Sequence, residues 1–449
     1  MRPNPASSLA LSIALGLLPF GRAMIEDPPS SADFEGIYRQ AIAIRERRLG
    51  PDHPKVGESL TNLALLLRNR GDLAKAEPLL RRALAIREKA FGPTDPRIAA
   101  DLENLASMLE ARRDYGGAES LYRRALAIRE KAGAAKPLDL AATFTRLSAL
   151  LENKGDLDGA VALSRRALAL REKILGPAHA DVGIHLNNLG LLLESKGDDV
   201  AAERLYRRAL GVLEKALGPD HPELGAVMNN LAGVLRSRED YQGAESLYRR
   251  ALAIYENSVG SDHPLVAATL SNLAQVRVAR GDQNGAEVLS RRALSIREKA
   301  LGGGDIEVAA VLGQLAGIIS AKGDYGAAIP LYRRALEIQE KGLEQDHPDI
   351  ADTLGGLGVA YKAQGDLSAA ESAVRRALAI FEKALGPNHP EVAKQAINLA
   401  SVLAARGDDA GAMQLYRRAL PIAEKTFGSQ HALVKEARKN LSELERKIR

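Results

Sequence analysis

The chain has 449 residues, of which 46% are hydrophobic and 27% charged; aromatics are 4%, Trp is absent and the formal net charge is +5. It holds no Cys, which excludes disulfides, thiolate catalysis and Cys-ligated zinc. Its Arg residues alternate with Glu along the same stretches, so the positive balance forms no single-sign block, no aromatic stacking platform accompanies it, and nucleic acid is not expected as a partner.

Residues 1–23 differ from all that follows. Arg2 precedes an apolar run from Leu9 to Phe20, and Gly21-Arg22-Ala23 puts small residues where a signal peptidase reads, so a cleaved secretory signal is expected. The run is broken by Gly16 and Pro19 and is too short to span a bilayer. Location is then secreted or periplasmic if the leader is removed, and cytoplasmic otherwise. Residues 24–31 read as a linker, with Asp27-Pro28-Pro29-Ser30-Ser31. Residues 32–49 read as a lone capping helix with Tyr38, Ala41 and Ile42 on its inner face.

From residue 54 onward one pattern returns every 42 residues, which places Asn62, Asn104, Arg146, Asn188, Asn230, Asn272, Gln314, Gly356, Asn398 and Asn440 in a single column. Nine copies fill 54–427 without an insertion or deletion. In each copy a first helix is predicted over 54–70 and its equivalents, with Leu60, Leu63, Ala64 and Leu67 at amphipathic spacing. Gly71-Asp72 stops it. A second helix is predicted over 74–91, with Ala76, Leu80, Ala83, Leu84 and Ala90 facing inward, ending at Gly92-Pro93. Ala76, Ala83, Leu63 and Leu84 keep their identity in every copy, and small residues facing Leu let helix axes approach closely. Such a hairpin cannot bury its apolar face alone, so the copies are expected to stack into an all-α solenoid. Residues 432–449 read as a second capping helix, where Arg438 and Glu445 stand in the columns of Leu60 and Leu67. A polar terminal face argues for a monomer.

Few residues promise chemistry. His53, His179, His221, His263, His347, His389 and His431 share one loop column, but copies two helix widths apart cannot bring ligands to within about 2 Å of one metal. They are expected to serve the loop beside the Pro that opens each first helix. His185 stands alone on a helix and reads as surface or groove lining. Arg-Arg pairs run from Arg81-Arg82 to Arg417-Arg418, six of them with a Glu four residues before the first Arg, at Glu77, Glu119, Glu203, Glu245, Glu287 and Glu371, and read as a solvated outer face. Gly355-Gly356-Leu357-Gly358 lies inside a predicted helix and is no dinucleotide fingerprint. Gly302-Gly303-Gly304 replaces the usual loop without its prolines and is expected to be the most flexible joint. Without a P-loop, a Gly-x-Ser-x-Gly elbow or a His-Glu-x-x-His motif, no catalytic residue, cofactor or metal is expected.

The columns of Leu231, Ala232, Ala244, Tyr248 and Ala251 resemble the tetratricopeptide repeat, with Glu239 where a Gly usually stands. The 42-residue period, Asn-Asn-Leu-Ala in the first helix and Gly-Pro-Asp-His-Pro between copies are similar to the kinesin light chain subgroup. That resemblance implies a right-handed superhelix whose first helices line a concave groove. It also implies that Asn62, Asn104, Asn188, Asn230, Asn272 and Asn398 form a ladder along the groove, interrupted by Arg146, Gln314 and Gly356. An Asn amide donates and accepts, so such a ladder would hold the backbone of an extended peptide, with Glu103, Asn187, Leu191, Asn229, Gln275 and Arg236 choosing its sequence. The alternative is that each Asn bridges neighbouring helices. Arg146 marks either a site for an acidic group or drift. The implied function is a non-catalytic scaffold that binds a protein or peptide partner. Two other classes fit the pattern: a regulatory subunit or sensor module of an enzyme or signalling complex, and a self-assembling structural solenoid.

Overall fold

The computed structural model describes residues 31–133 and 136–448. The expected signal segment, the linker up to residue 30 and Ala134-Ala135 lie outside the described residues. Among these residues there are twenty α-helices and no strand. They group into two compact units, one ending at Pro219 and the other beginning at Asp220, a division that the unbroken 42-residue period does not announce.

The first unit opens with the lone helix α1 (Ser31–Leu49). Four hairpins follow: α2 (Pro54–Asn69) with α3 (Leu73–Phe91), α4 (Ala99–Ala111) with α5 (Tyr115–Lys131), α6 (Pro137–Asn153) with α7 (Leu157–Leu175), and α8 (Ala180–Ser195) with α9 (Asp199–Leu217). The second unit has five: α10 (Pro222–Ser237) with α11 (Tyr241–Ser258), α12 (Pro264–Ala279) with α13 (Gln283–Leu301), α14 (Ile306–Ala321) with α15 (Tyr325–Gly342), α16 (Pro348–Gln364) with α17 (Leu367–Leu385), and α18 (Pro390–Arg406) with α19 (Asp409–Phe427). It closes with α20 (Ala432–Ile448). Within each unit every helix packs on the next one in sequence, the arrangement of a helical-hairpin solenoid.

Helix ends follow local chemistry. Each first helix stops on a left-handed residue, Gly71 at φ +83° being typical, because only Gly takes that conformation without Cβ strain. Arg113 (φ 62°) and Glu239 (φ 64°) hold the same conformation without being Gly. The next residue is an Asp, which in every copy but the first caps the second helix with its side chain, as when Asp240 Oδ1 accepts from Gly243 N–H at 2.9 Å. The seven loop histidines cap the first helices: Nδ1 of His53 accepts from Lys55 N–H at 3.2 Å, and that of His221 from Glu223 N–H at 3.2 Å. In two of the copies without His, Asp95 and Asp305 do the same for Arg97 and Glu307, whereas the helix beginning at Pro137 has no side-chain cap among the described residues. Gly302 to Gly304 therefore keep a capped junction, with Gly302 at φ 83° like its counterparts.

Packing follows the expected stripes: Leu60, Leu63, Ala64 and Leu67 meet Ala76, Leu80, Ala83 and Leu84, all buried. A Cβ on Gly57 would stand 3.2 Å from the Ala83 carbonyl oxygen, so α2 and α3 are nearly in backbone contact there. Ala90 is exposed, contrary to the sequence expectation. Gly57 in the first turn of α2 already faces Ala83 and Arg87, so the last turn of α3 runs past the end of its partner and Ile86 is its last buried side chain. The Gly cluster in α16 makes room for neighbours: Gly356 faces the Tyr332 ring and Gly358 faces Val374.

The second helices are tied on their outer side by ion pairs. In six copies the first Arg of the pair reaches back to a Glu in its own helix, as Arg81 does to Glu77 at 2.8 Å. That Glu also holds the basic residue ending the next first helix, as in Glu77 with Arg112, Glu287 with Lys322 and Glu371 with Arg406. The second Arg crosses to a Glu of the preceding copy: Arg82 to Glu46 at 2.6 Å, Arg124 to Glu88 at 2.6 Å, Arg166 to Glu130 at 2.7 Å, Arg334 to Glu298 at 2.5 Å and Arg418 to Glu382 at 2.5 Å. The stripe read as solvation thus also joins copies, each half-exposed pair contributing up to about 1 kcal/mol.

Candidate peptide-binding groove

In the second unit the first helices of successive copies approach one another more closely than the second helices do, with α10 near α12, α14 near α16 and α16 near α18. Side chains join them: Asn229 Nδ2 on α10 donates to Thr269 Oγ1 on α12 at 3.0 Å. In the first unit Arg68 on α2 donates to Ser107 on α4 at 3.1 Å. The first helices therefore form one face of each unit, and the column that set the register lies on it.

The column divides into two kinds of residue. In the first unit Asn62 and Asn104 are half-buried and Asn188 is exposed. None of the three amides bonds to another described side chain or backbone group. In the second unit Asn272 is likewise half-buried, but Asn230 is engaged within the chain. Gln314 Nε2 donates to the Ser271 carbonyl at 2.8 Å, Asn398 Nδ2 to Gln395 Oε1 at 3.2 Å, and Asn440 Nδ2 to the Tyr416 hydroxyl at 3.2 Å. Helix bridging, the alternative in the sequence, describes Gln314 and Asn440. At Gly356 the column is empty because a Cβ would stand 2.6 Å from the Tyr332 ring.

The neighbours expected to read a ligand's sequence are mostly taken up inside the protein. Glu103 is 3% exposed; it accepts from Arg129 Nε at 3.0 Å, from Thr143 and from Arg146 Nη1 at 2.5 Å. The acidic group that Arg146 awaited is thus supplied by the preceding first helix. Asn187 is 9% exposed and engaged, and Arg236 is hydrogen-bonded to Gln275. The reason is register: the position just before the Asn column faces the next first helix, not the open face. Leu191, 40% exposed, remains available.

His185 is 3% exposed and is a core residue, not the surface or groove residue its isolation suggests. Its Nε2 lies 3.0 Å from the Ser164 carbonyl oxygen, and burial pulls its pKa below the usual imidazole value, so the neutral ring donates there. Its column holds Ser59, Asp101 and Thr143 in earlier copies, all buried, and that column is the signal that could have placed it. The tyrosines of the second helices point their hydroxyls toward this face, Tyr206 donating to Glu194 at 2.8 Å. Burial pushes the Tyr122 phenol up to about 12, so it stays a donor at physiological pH.

The tetratricopeptide repeat model matches residues 35–89, 57–131, 139–215, 196–257, 223–299, 307–383 and 370–425. Among solved structures, the chain is similar to BtubC (BKLC) from P. vanneervenii at 25% identity, covering 51% of this chain and 91% of that one with a TM-score of 0.45. It is similar to a putative kinesin light chain with nearly identical repeats from Podosopora anserina at 27% identity, covering 46% and 98% with a TM-score of 0.40. A signal transduction ATPase with a tetratricopeptide repeat sensor from Pyrococcus horikoshii aligns over 98% of this chain and 66% of its own at 15% identity and a TM-score of 0.57, a likeness of fold alone. No curated protein matches.

Proposed function

The chain belongs to the tetratricopeptide repeat family, and from that premise we propose that it is a non-catalytic scaffold holding an extended peptide of a partner protein against the first helices. The observation that carries this reading is the set of three amides, Asn62, Asn104 and Asn188, that recur at the same position of α2, α4 and α8 and bond to no other described residue. An amide left partly open to water can donate to a peptide carbonyl and accept from a peptide N–H, which gives affinity without reading side chains. Copies stand two helix widths of about 8–10 Å apart, and an extended chain rises about 3.3 Å per residue, so amides of adjacent copies match roughly every fifth or sixth residue of a ligand. Affinity then grows as a sum over copies.

Replacing Asn104 and Asn188 with Ala tests this. Partner captured from the native source by the wild-type chain should bind the double variant about tenfold or more weakly, with helicity and melting unchanged. Equal binding by the variant discards the ladder.

A further inference from the structure

Near the end of one second helix an amide, Gln339, stands in the column that holds Arg in some copies, Arg129 and Arg297 among them, and Leu213, Tyr255, Phe381 and Ala423 in others. The last turn of a second helix repeatedly carries an Arg that reaches an acid in the next first helix: Arg129 pairs with Asp139 at 3.0 Å and Arg297 pairs with Glu307. The equivalent residues one period after Arg297 and Glu307 are Gln339, on α15, and Asp349, on α16. Gln339 is 5% exposed and its Oε1 accepts no hydrogen bond. Asp349, 60% exposed at its side chain, has only His347 nearby, 3.8 Å away, and that imidazole Nδ1 already accepts from the Asp349 N–H.

A cavity of about 320 Å³ lies at this place, lined by Gln339, Asp349, Asp352, Thr353, Gln314 and the Tyr332 ring, with small residues such as Gly313 leaving it open. No Lys or Arg lines it. Lys394, the nearest cation to Asp352, is held by Glu391 at 3.0 Å. The lining is therefore rich in acceptors and net negative, with a buried amide oxygen that lacks a donor.

We propose that this cavity takes an arginine side chain of the bound peptide, whose guanidinium stands where Arg297 stands one copy earlier and donates to Gln339 Oε1 and to the carboxylates of Asp349 and Asp352. The planar fork of donors suits a carboxylate and an amide oxygen together, and the Tyr332 ring offers a wall to its face. The cavity rests on the groove reading above and adds a residue preference to it: the amide column is blind to side chains, and here it is interrupted at Gly356.

The full chain titrated with N-acetyl-arginine N′-methylamide and with the citrulline counterpart, read by saturation-transfer difference NMR, tests it. The arginine probe should bind the wild type about tenfold or more tightly than the neutral one. The Asp349→Asn, Asp352→Asn double variant should bring the two to parity, and Gln339→Arg, which supplies the cation from within as in α5 and α13, should abolish arginine binding. Equal binding of the two probes, no binding of either, or undiminished binding to Gln339→Arg overturns the proposal. Those results leave the Asn104 and Asn188 experiment untouched, and failure of that experiment leaves the probe titration readable.

Discussion

Glu103 gives the sharpest test of how the face between first helices is built. Its carboxylate is 3% exposed and joins Arg129 on α5 and Arg146 on α6, so Glu103→Gln keeps the shape and removes the charge. Breaking a buried pair by taking one partner costs about 3–5 kcal/mol. Here Arg129 keeps Asp139 at 3.0 Å and the Arg146 side chain, 50% exposed, is free to turn to water, which reduces the expected loss to about 2 kcal/mol. Because the chain forms two units, the measurement is native-state hydrogen exchange in α4 and α6, not a single melting curve. A double-mutant cycle with Arg146→Gln should show a coupling of about 1 kcal/mol. A loss below about 0.5 kcal/mol, or no coupling, would refute the account of Glu103 as a structural hub.

Other consequences are direct. Glu239→Gly and Arg113→Gly relieve left-handed strain of about 1–2 kcal/mol against the greater unfolded freedom of Gly, so each should stabilise its hairpin by about 0.5–1 kcal/mol; urea titrations showing destabilisation would contradict this. His221→Ala should cost α10 about 1 kcal/mol of capping, whereas His221→Asp should stay near wild type because Asp95 and Asp305 already occupy that role; protection of the α10 amides decides. Burial lowers the His185 pKa below its ordinary 6.5, so its contribution is complete above that value and is lost as pH falls through the folded-state pKa. Thermal melts between pH 7.5 and 5 should therefore show the first unit weakening, and His185→Thr, the residue found at Thr143, should flatten that limb. An unchanged slope would place His185 outside the core. The Gly302 to Gly304 junction should exchange its amides faster than Gly218-Pro219, since it lacks proline restraint; equal rates would show that the Asp305 cap suffices.

The repeat made helix existence, the glycine stops and the burial of Leu63, Leu67, Ala76 and Ala83 legible, because equivalence between copies exposes an apolar stripe directly. The seven histidines were legible as loop residues, though not as acceptors of a specific N–H. Orientation toward the next copy was harder. Whether Glu103, Asn187 and His185 face a groove or a neighbouring helix depends on how far one helix is turned against the next, and a column of identities holds no angle. Ala90 failed for a related reason: periodicity predicts a face and not where the covering helix ends. The bridge from Arg82 to Glu46 was written in two invariant columns, but only a spacing of 36 residues, not the local spacing of four, reveals it. Nothing in the period marks Pro219 as the end of a unit.

The outer ion pairs have a mechanical consequence for each unit. Long Arg side chains on the back of the stack bridge a gap that varies with bending, while the seam between each first helix and its second helix is closed by Leu and Ala side chains in direct contact. A strip built this way flexes about its dry seam and stretches along its charged back. Dissolved ions that weaken the back from about 0.1 M upward would soften it without opening the seam, so the width offered to a partner becomes a property of the medium as well as of the fold.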